Sequence, residues 1–186
     1  MASDMELLRR FRFSPRSTDI ALAAFVWVAA VVNVANQDTT GIDGIPVLGF
    51  VLLAVASVPL LRRRSLPLIA LGVALVMMGI WALAGYPGNP VFHMLAALYA
   101  VGRYLTATWP SLAALAASLA VAITVQLADG DPVSEIAIVG FATVLPWYLG
   151  RRVRIRGQYA AAVREQRAAE AQRAVDEARS AIAREL

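Results

Sequence analysis

The chain has 186 residues, 59% of them hydrophobic and 16% charged. Soluble domains run at roughly 45–50% apolar and about 25% charged, so an ordinary water-soluble domain is excluded for the chain as a whole. With no cysteine there is neither a disulfide framework nor a thiolate metal site, and the net charge of +4 comes from arginine alone because lysine is absent.

Residues 1–17 form a charged leader, "MASDMELLRRFRFSPRS". The apolar run behind it, "IALAAFVWVAAVVNVA", is followed by "NQDTTGIDG" without a small-residue cleavage site, so it reads as a retained span rather than a signal peptide. Crossing the hydrocarbon core takes about 20 apolar residues as a helix. Six runs meet or approach that length: 18–36, 45–61, 66–84, 91–105, 109–128 and 133–150. The second is short, and the fourth is the shortest and most polar. The breaks "DTTGIDG", "GYPGNP" and "ADGDP" are turn sequences. The runs lack the alternation of barrel strands, so the expected fold is all-α, with six transmembrane helices over residues 18–150 and a further helix over 151–186.

Arginine placement orients the bundle. Arg9, Arg10, Arg12 and Arg16 precede span one, Arg62, Arg63 and Arg64 separate spans two and three, Arg103 ends span four, and Arg151, Arg152, Arg154 and Arg156 follow span six. With six spans all of these fall on one side, while the opposite loops carry Asp38, Asp43, Asp129 and Asp131. The positive-inside rule then places both termini in the cytoplasm, with the protein in the plasma membrane. Trp109 and Trp147–Tyr148 near the inner ends, and Trp81 and Tyr86 near the outer one, are expected to form an interfacial belt. The basic charge serves orientation and attraction to the anionic lipid bilayer. No basic patch is left over, so nucleic acid is not an expected partner.

The outer loops are short, so a stimulus must be read in the membrane, at its surface or through a partner. Polar residues in the outer halves of spans are the sensing candidates: Asn33 and Asn36, which share a helix face, His93, Thr124, Gln126 and Glu135. Two readings stand. They line a small outward-facing pocket, or they hydrogen-bond between helices near the wet boundary. His93, the single histidine, is either a pH-sensitive or ligand-binding group or a packing residue. Arg103 is expected to snorkel to the headgroups. Pro59 and Pro146 are candidate kinks, Pro146 being a natural hinge above the exit to the tail. The small-residue run "SLAALAASLA" of span five reads as intramolecular packing. No phosphate loop, Ser/His/Asp set, carboxylate pair or metal-ligand cluster stands out, so no catalytic or metal residue is assigned. Inverted repeats of a transporter are not apparent.

From Gly157 onward, "GQYAAAVREQRAAEAQRAVDEARSAIAREL" is built from good helix formers. Ala161, Ala168, Val175 and Ile182 are seven apart, with Ala171 and Ala178 between them, giving a weak heptad seam. Tyr159 and Val163 fall outside its register, which implies a stutter. The tail is therefore expected to pair with a second copy as a coiled coil.

"RSAIAREL" at the end resembles the segment that leads into the phosphoacceptor box of bacterial sensor histidine kinases of the class paired with LuxR/NarL-type response regulators. In these, R-x-x-I-A-R-E-L runs directly into His-Asp. "WYLGRRVRIRGQYAAAVREQRAAEAQRA" is similar to the juxtamembrane linker of actinobacterial members, and "LRRRSLPLIAL…GYPGNP…ALYAVGRY" to their membrane domain. The resemblance implies the sensor and transmission module of a two-component kinase, dimeric, signalling through span six and the linker, with Pro146, Val175, Ala178 and Ile182 as transmission positions. The phosphoacceptor is expected immediately after Leu186. ATP and magnesium belong to the implied kinase domain, and the response regulator would be met there too. His93 lies on the wrong side of the membrane to replace the acceptor. The alternative is a free-standing small membrane protein that scaffolds or docks a partner through its tail, with a small-molecule carrier as a third class.

Overall fold

The structure is a computed structural model and describes residues 14–37, 47–86, 90–128 and 132–185. Among these residues there are six α-helices and no strand: α1 (Pro15–Gln37), α2 (Val47–Ser57), α3 (Pro67–Leu83), α4 (Val91–Tyr104), α5 (Thr108–Ala128) and α6 (Val133–Glu185). Each of the six apolar runs falls in a different helix, the second ending in a 3-10 turn and the sixth forming the first part of α6. The acidic loops carrying Asp38, Asp43, Asp129 and Asp131, and the leader through residue 13, lie outside the described residues.

Local chemistry sets the ends. α1 begins at Pro15, upstream of the first apolar residues, because Ser14 Oγ accepts the Ser17 N–H at 3.1 Å and proline at the first helical position has no donor to satisfy. α2 stops being α-helical at Ser57 and tightens into a 3-10 turn over Val58–Arg62. The cause is Pro59, which lacks an N–H and whose ring opposes the carbonyl one turn back. α3 ends in a left-handed cap. Gly85 adopts φ +65°, its N–H reaches Ala82 O at 3.1 Å, and the Tyr86 N–H reaches Trp81 O at 3.3 Å. A side chain at the cap position would meet its own backbone at that φ. The accompanying apolar contact is Trp81 against Tyr86, edge to face at 5.1 Å.

α4 is the hub. Its 14 residues span about 21 Å, less than a hydrocarbon core. It buries His93, Met94, Ala97, Leu98, Ala100, Val101 and Gly102 and packs on α1, α3, α5 and α6. A helix surrounded by other helices has no lipid thickness to match, which accounts for the short, polar fourth run. Much of the core is small: Ala23, Ala30, Ala56, Ala70, Ala74, Ala97 and Ala122 are buried, so backbones approach closely. The outer surface, in contrast, displays Phe25, Val28, Val32, Val51, Val55, Ile138 and Phe141. An apolar exterior of this extent fits lipid and not water. Three of the helices, α1, α5 and the first part of α6, are long and apolar enough to cross a membrane; α2 with its 3-10 extension and α3 are shorter apolar helices.

α6 continues without a break through Pro146 and Gly157 for 53 residues, about 80 Å. Every described side chain from 157 onward is exposed, so the tail is held as a helix by its alanine, arginine and glutamate content and not by packing.

The expected aromatic belt requires correction. Trp81 and Trp147 are buried, one as part of the α3 cap and the other between helices, whereas Trp109 and Tyr148 do face outward.

Candidate functional site

Polar and small residues converge where the arginine-rich ends of the helices meet. The closest contact is between α4 and α6. A Cβ on Gly102 would run into the carbonyl oxygen of Trp147 and lie 3.0 Å from Arg151 N, and one on Gly150 would meet Tyr99 O and lie 3.0 Å from Arg103 N. Each glycine sits on the other helix's backbone, so the two chains touch with nothing compressible between them. Around this crossing, Trp147 Nε1–H donates to Ser111 Oγ at 2.8 Å, tying α6 to the start of α5, and Arg154 donates to the Leu105 carbonyl at the end of α4. That carbonyl belongs to a helix terminus, where acceptors lack an intrahelical partner.

A second cluster ties α1 to the α2–α3 turn. Asp19 is buried and accepts from Arg63 Nε at 3.0 Å and from Arg64 Nε at 2.8 Å. Arg63 is as buried as its partner, with 7% of its side chain exposed, while Arg64 reaches solvent. Removing one member of such a buried pair leaves the other charge uncompensated.

A third polar contact is made by His93. Its side chain is fully buried, with Nε2 2.8 Å from Ser57 Oγ and 3.1 Å from Leu53 O. Ser57 Oγ also donates to Leu53 O at 2.9 Å. The histidine therefore grips α2 where it turns from α to 3-10. A serine and histidine at this spacing are those of a nucleophile and its base; here both side chains are buried and both also bond to the Leu53 carbonyl. The contact joins α4 to α2. α4 thus touches the α2 junction near its start and α6 near its end.

The sequence-derived sensing residues differ in burial. His93 and Gln126 are buried, Asn33 is half-buried, and Asn36, Thr124 and Glu135 are exposed. Of the two readings of His93, its complete burial and its contacts with Ser57 and Leu53 on α2 are those of a packing residue. Pro146 lies inside α6, close to Trp147 and the glycine crossing. Val175 is exposed on the tail; the side chains of Ala178 and Ile182 lie outside the described residues. Arg103, expected to snorkel, is partly buried and lies over the Tyr104 ring at 5.5 Å. Among the described residues no three His, Asp or Glu side chains are grouped to hold a metal.

Asp19, Ser57, Gly102, Ser111 and Gly150 were not singled out from sequence. The signal for the glycines was present: "VGRY" and "LGRR" place a glycine before an arginine at the same end of two spans. For Asp19 it was a lone carboxylate just inside the first apolar run, at the end where three arginines follow the second.

Fold and site define an α-helical bundle with an apolar exterior, a polar-stitched end and one long protruding helix. The chain belongs to the DUF7134 family, a domain of unknown function, whose model matches residues 7–157. No curated protein and no solved structure matches it.

Proposed function

We propose that the chain is the membrane sensor and signal-transmission module of a two-component histidine kinase. In this reading all six helices cross the plasma membrane, both termini are cytoplasmic, and a membrane or external stimulus alters helix packing in the bundle. The change passes along α6 to a dimeric linker helix that sets the autophosphorylation of a histidine following Leu186. ATP, magnesium and a LuxR/NarL-type response regulator act at the domain that carries that histidine.

The observation that carries the proposal is α6. It is gripped by α4 at Gly150 and continues unbroken to Glu185, so displacement at the crossing moves the tail as one body. The end of that helix bears the "RSAIAREL" sequence. The arrangement of charges supports the topology: the Asp19 cluster gathers the start of α1 and the end of α2 at one end, and the glycine crossing gathers α4, α5 and α6 with their arginines.

The test is the source gene and its product. Reading on past the Leu186 codon is expected to give His-Asp and then a kinase domain, and membranes containing the encoded protein are expected to incorporate acid-labile phosphate from ATP. Gly150→Ala is expected to change that incorporation. A reading frame without a histidine kinase domain, or phosphorylation indifferent to Gly150, contradicts the proposal.

A further inference from the structure

Beginning at the glycine crossing and running toward the tail, α6 carries an open cleft of about 480 Å³ lined by Trp147, Tyr148, Arg151, Arg152, Ile155, Arg156 and Tyr159. These residues recur at one- and four-residue spacings and share one helix face. Of the four arginines between 151 and 156, Arg154 is turned into the bundle, onto Leu105 O, and the other three line the cleft. Two of those are held in place by aromatic rings. Arg151 lies over Trp147 at 5.5 Å, and Arg152 Nη1 donates to Tyr148 Oη at 3.2 Å. No Asp or Glu occurs on α6 between Glu135 and Glu165, and among the described residues none of the three arginines has a carboxylate partner. Three guanidinium groups are thus concentrated beside Tyr148, Ile155 and Tyr159, without an anion to balance them.

We propose that this cleft binds the headgroup of an anionic phospholipid from the leaflet at the arginine-rich end, with the phosphate between Arg152 and Arg156 and the glycerol and upper acyl chain against Tyr148 and Ile155. The inference rests on the reading that α6 crosses a membrane there. The cleft runs about 18 Å along the helix, enough to pass from the hydrocarbon edge through a headgroup layer of roughly 5–8 Å. Guanidinium forks match phosphate oxygens in geometry as well as charge. A soluble phosphate uses only the cations; an amphiphile also covers the aromatic and aliphatic walls, which is why a lipid is the occupant the lining fits. A lipid seated here touches α6 between its crossing with α4 and the start of the tail, so anionic lipid content would bias the position of the exit.

The test uses the full 186-residue chain in micelles with equal phosphatidylglycerol and phosphatidylcholine, counting retained lipids by native mass spectrometry. Phosphatidylglycerol is expected to be retained preferentially. Arg152→Gln/Arg156→Gln is expected to lower that preference on the order of tenfold, Arg152→Lys/Arg156→Lys to restore much of it, and Arg62→Gln, outside the cleft, to leave it unchanged. Equal retention of the two lipids, a preference indifferent to the cleft arginines, or displacement of the lipid by millimolar inorganic phosphate overturns the proposal. Flotation with neutral phosphatidylcholine vesicles reports membrane insertion alone. A chain that floats without lipid preference overturns the lipid site and leaves the membrane reading standing, whereas one that does not float overturns both.

Discussion

Gly150 and Gly157 lie two turns apart on the same helix and have opposite surroundings. At Gly150 the backbone of α4 occupies the space where a side chain would go; at Gly157 nothing lies within 4 Å. One helix therefore has two regimes. Through Arg154, which still reaches the Leu105 carbonyl, its position is dictated by neighbours, and from Gly157 onward by its own backbone hydrogen bonds and composition. A continuous helix can carry movement from the first regime to the second because nothing in the tail resists it.

Substitutions on the two sides of that divide should behave differently. The largest effect is expected in the stitched end: Asp19→Ala strands a buried Arg63 and should cost about 3 kcal/mol, read as a lowered unfolding midpoint in detergent. An unchanged midpoint would show that Arg63 finds solvent without its partner. Gly150→Ala and Gly102→Ala should each cost about 1–3 kcal/mol through overpacking. Because both act on one crossing, their double variant should cost less than the sum; full additivity would mean that the glycines do not share a contact. Ser111→Ala deletes the bond from Trp147 Nε1–H while leaving the indole in place, for about 1 kcal/mol, and should loosen α5 from α6 in hydrogen exchange. Gly157→Ala is the counterpart in the free half. It should strengthen the tail helix by about 0.8–1 kcal/mol, seen as slower amide exchange around residue 157, with the unfolding of the bundle unmoved.

The helices were legible from sequence because they are apolar runs separated by turn residues: the first five runs coincide to within a few residues with α1 to α5, the second including its 3-10 extension, and the sixth with the start of α6, which continues without a break into the separately expected tail helix. Ser14–Pro15 and Gly85 fixed ends that hydropathy leaves blurred. The site was far less legible. His93 reads from sequence either as a sensing group or as a packing residue, and nothing in its own segment names Ser57 and Leu53 of α2 as its partners. Asp19 and Arg63 are 44 positions apart, and nothing local to either names the other. Glycines occur eight times on the described residues, and only the packing distinguishes Gly102 and Gly150, which cannot bear a Cβ, from Gly72, Gly79, Gly140 and Gly157, which have open space around them. Such pairings are properties of tertiary contact, and periodicity does not encode them.

The central claim is that α6 moves as one body about the α4 crossing. The chain has no cysteine, so two introduced ones can be spin-labelled without background. Labels at Leu66→Cys on the bundle and Arg164→Cys on the tail would report their separation by pulsed electron resonance in lipid nanodiscs. Gly150→Ala, which forces the crossing apart, is expected to shift that distance as a single displaced population. A distance that stays put while the crossing is visibly disturbed, or one that broadens without shifting, would mean that the tail is uncoupled from the bundle and would contradict the account.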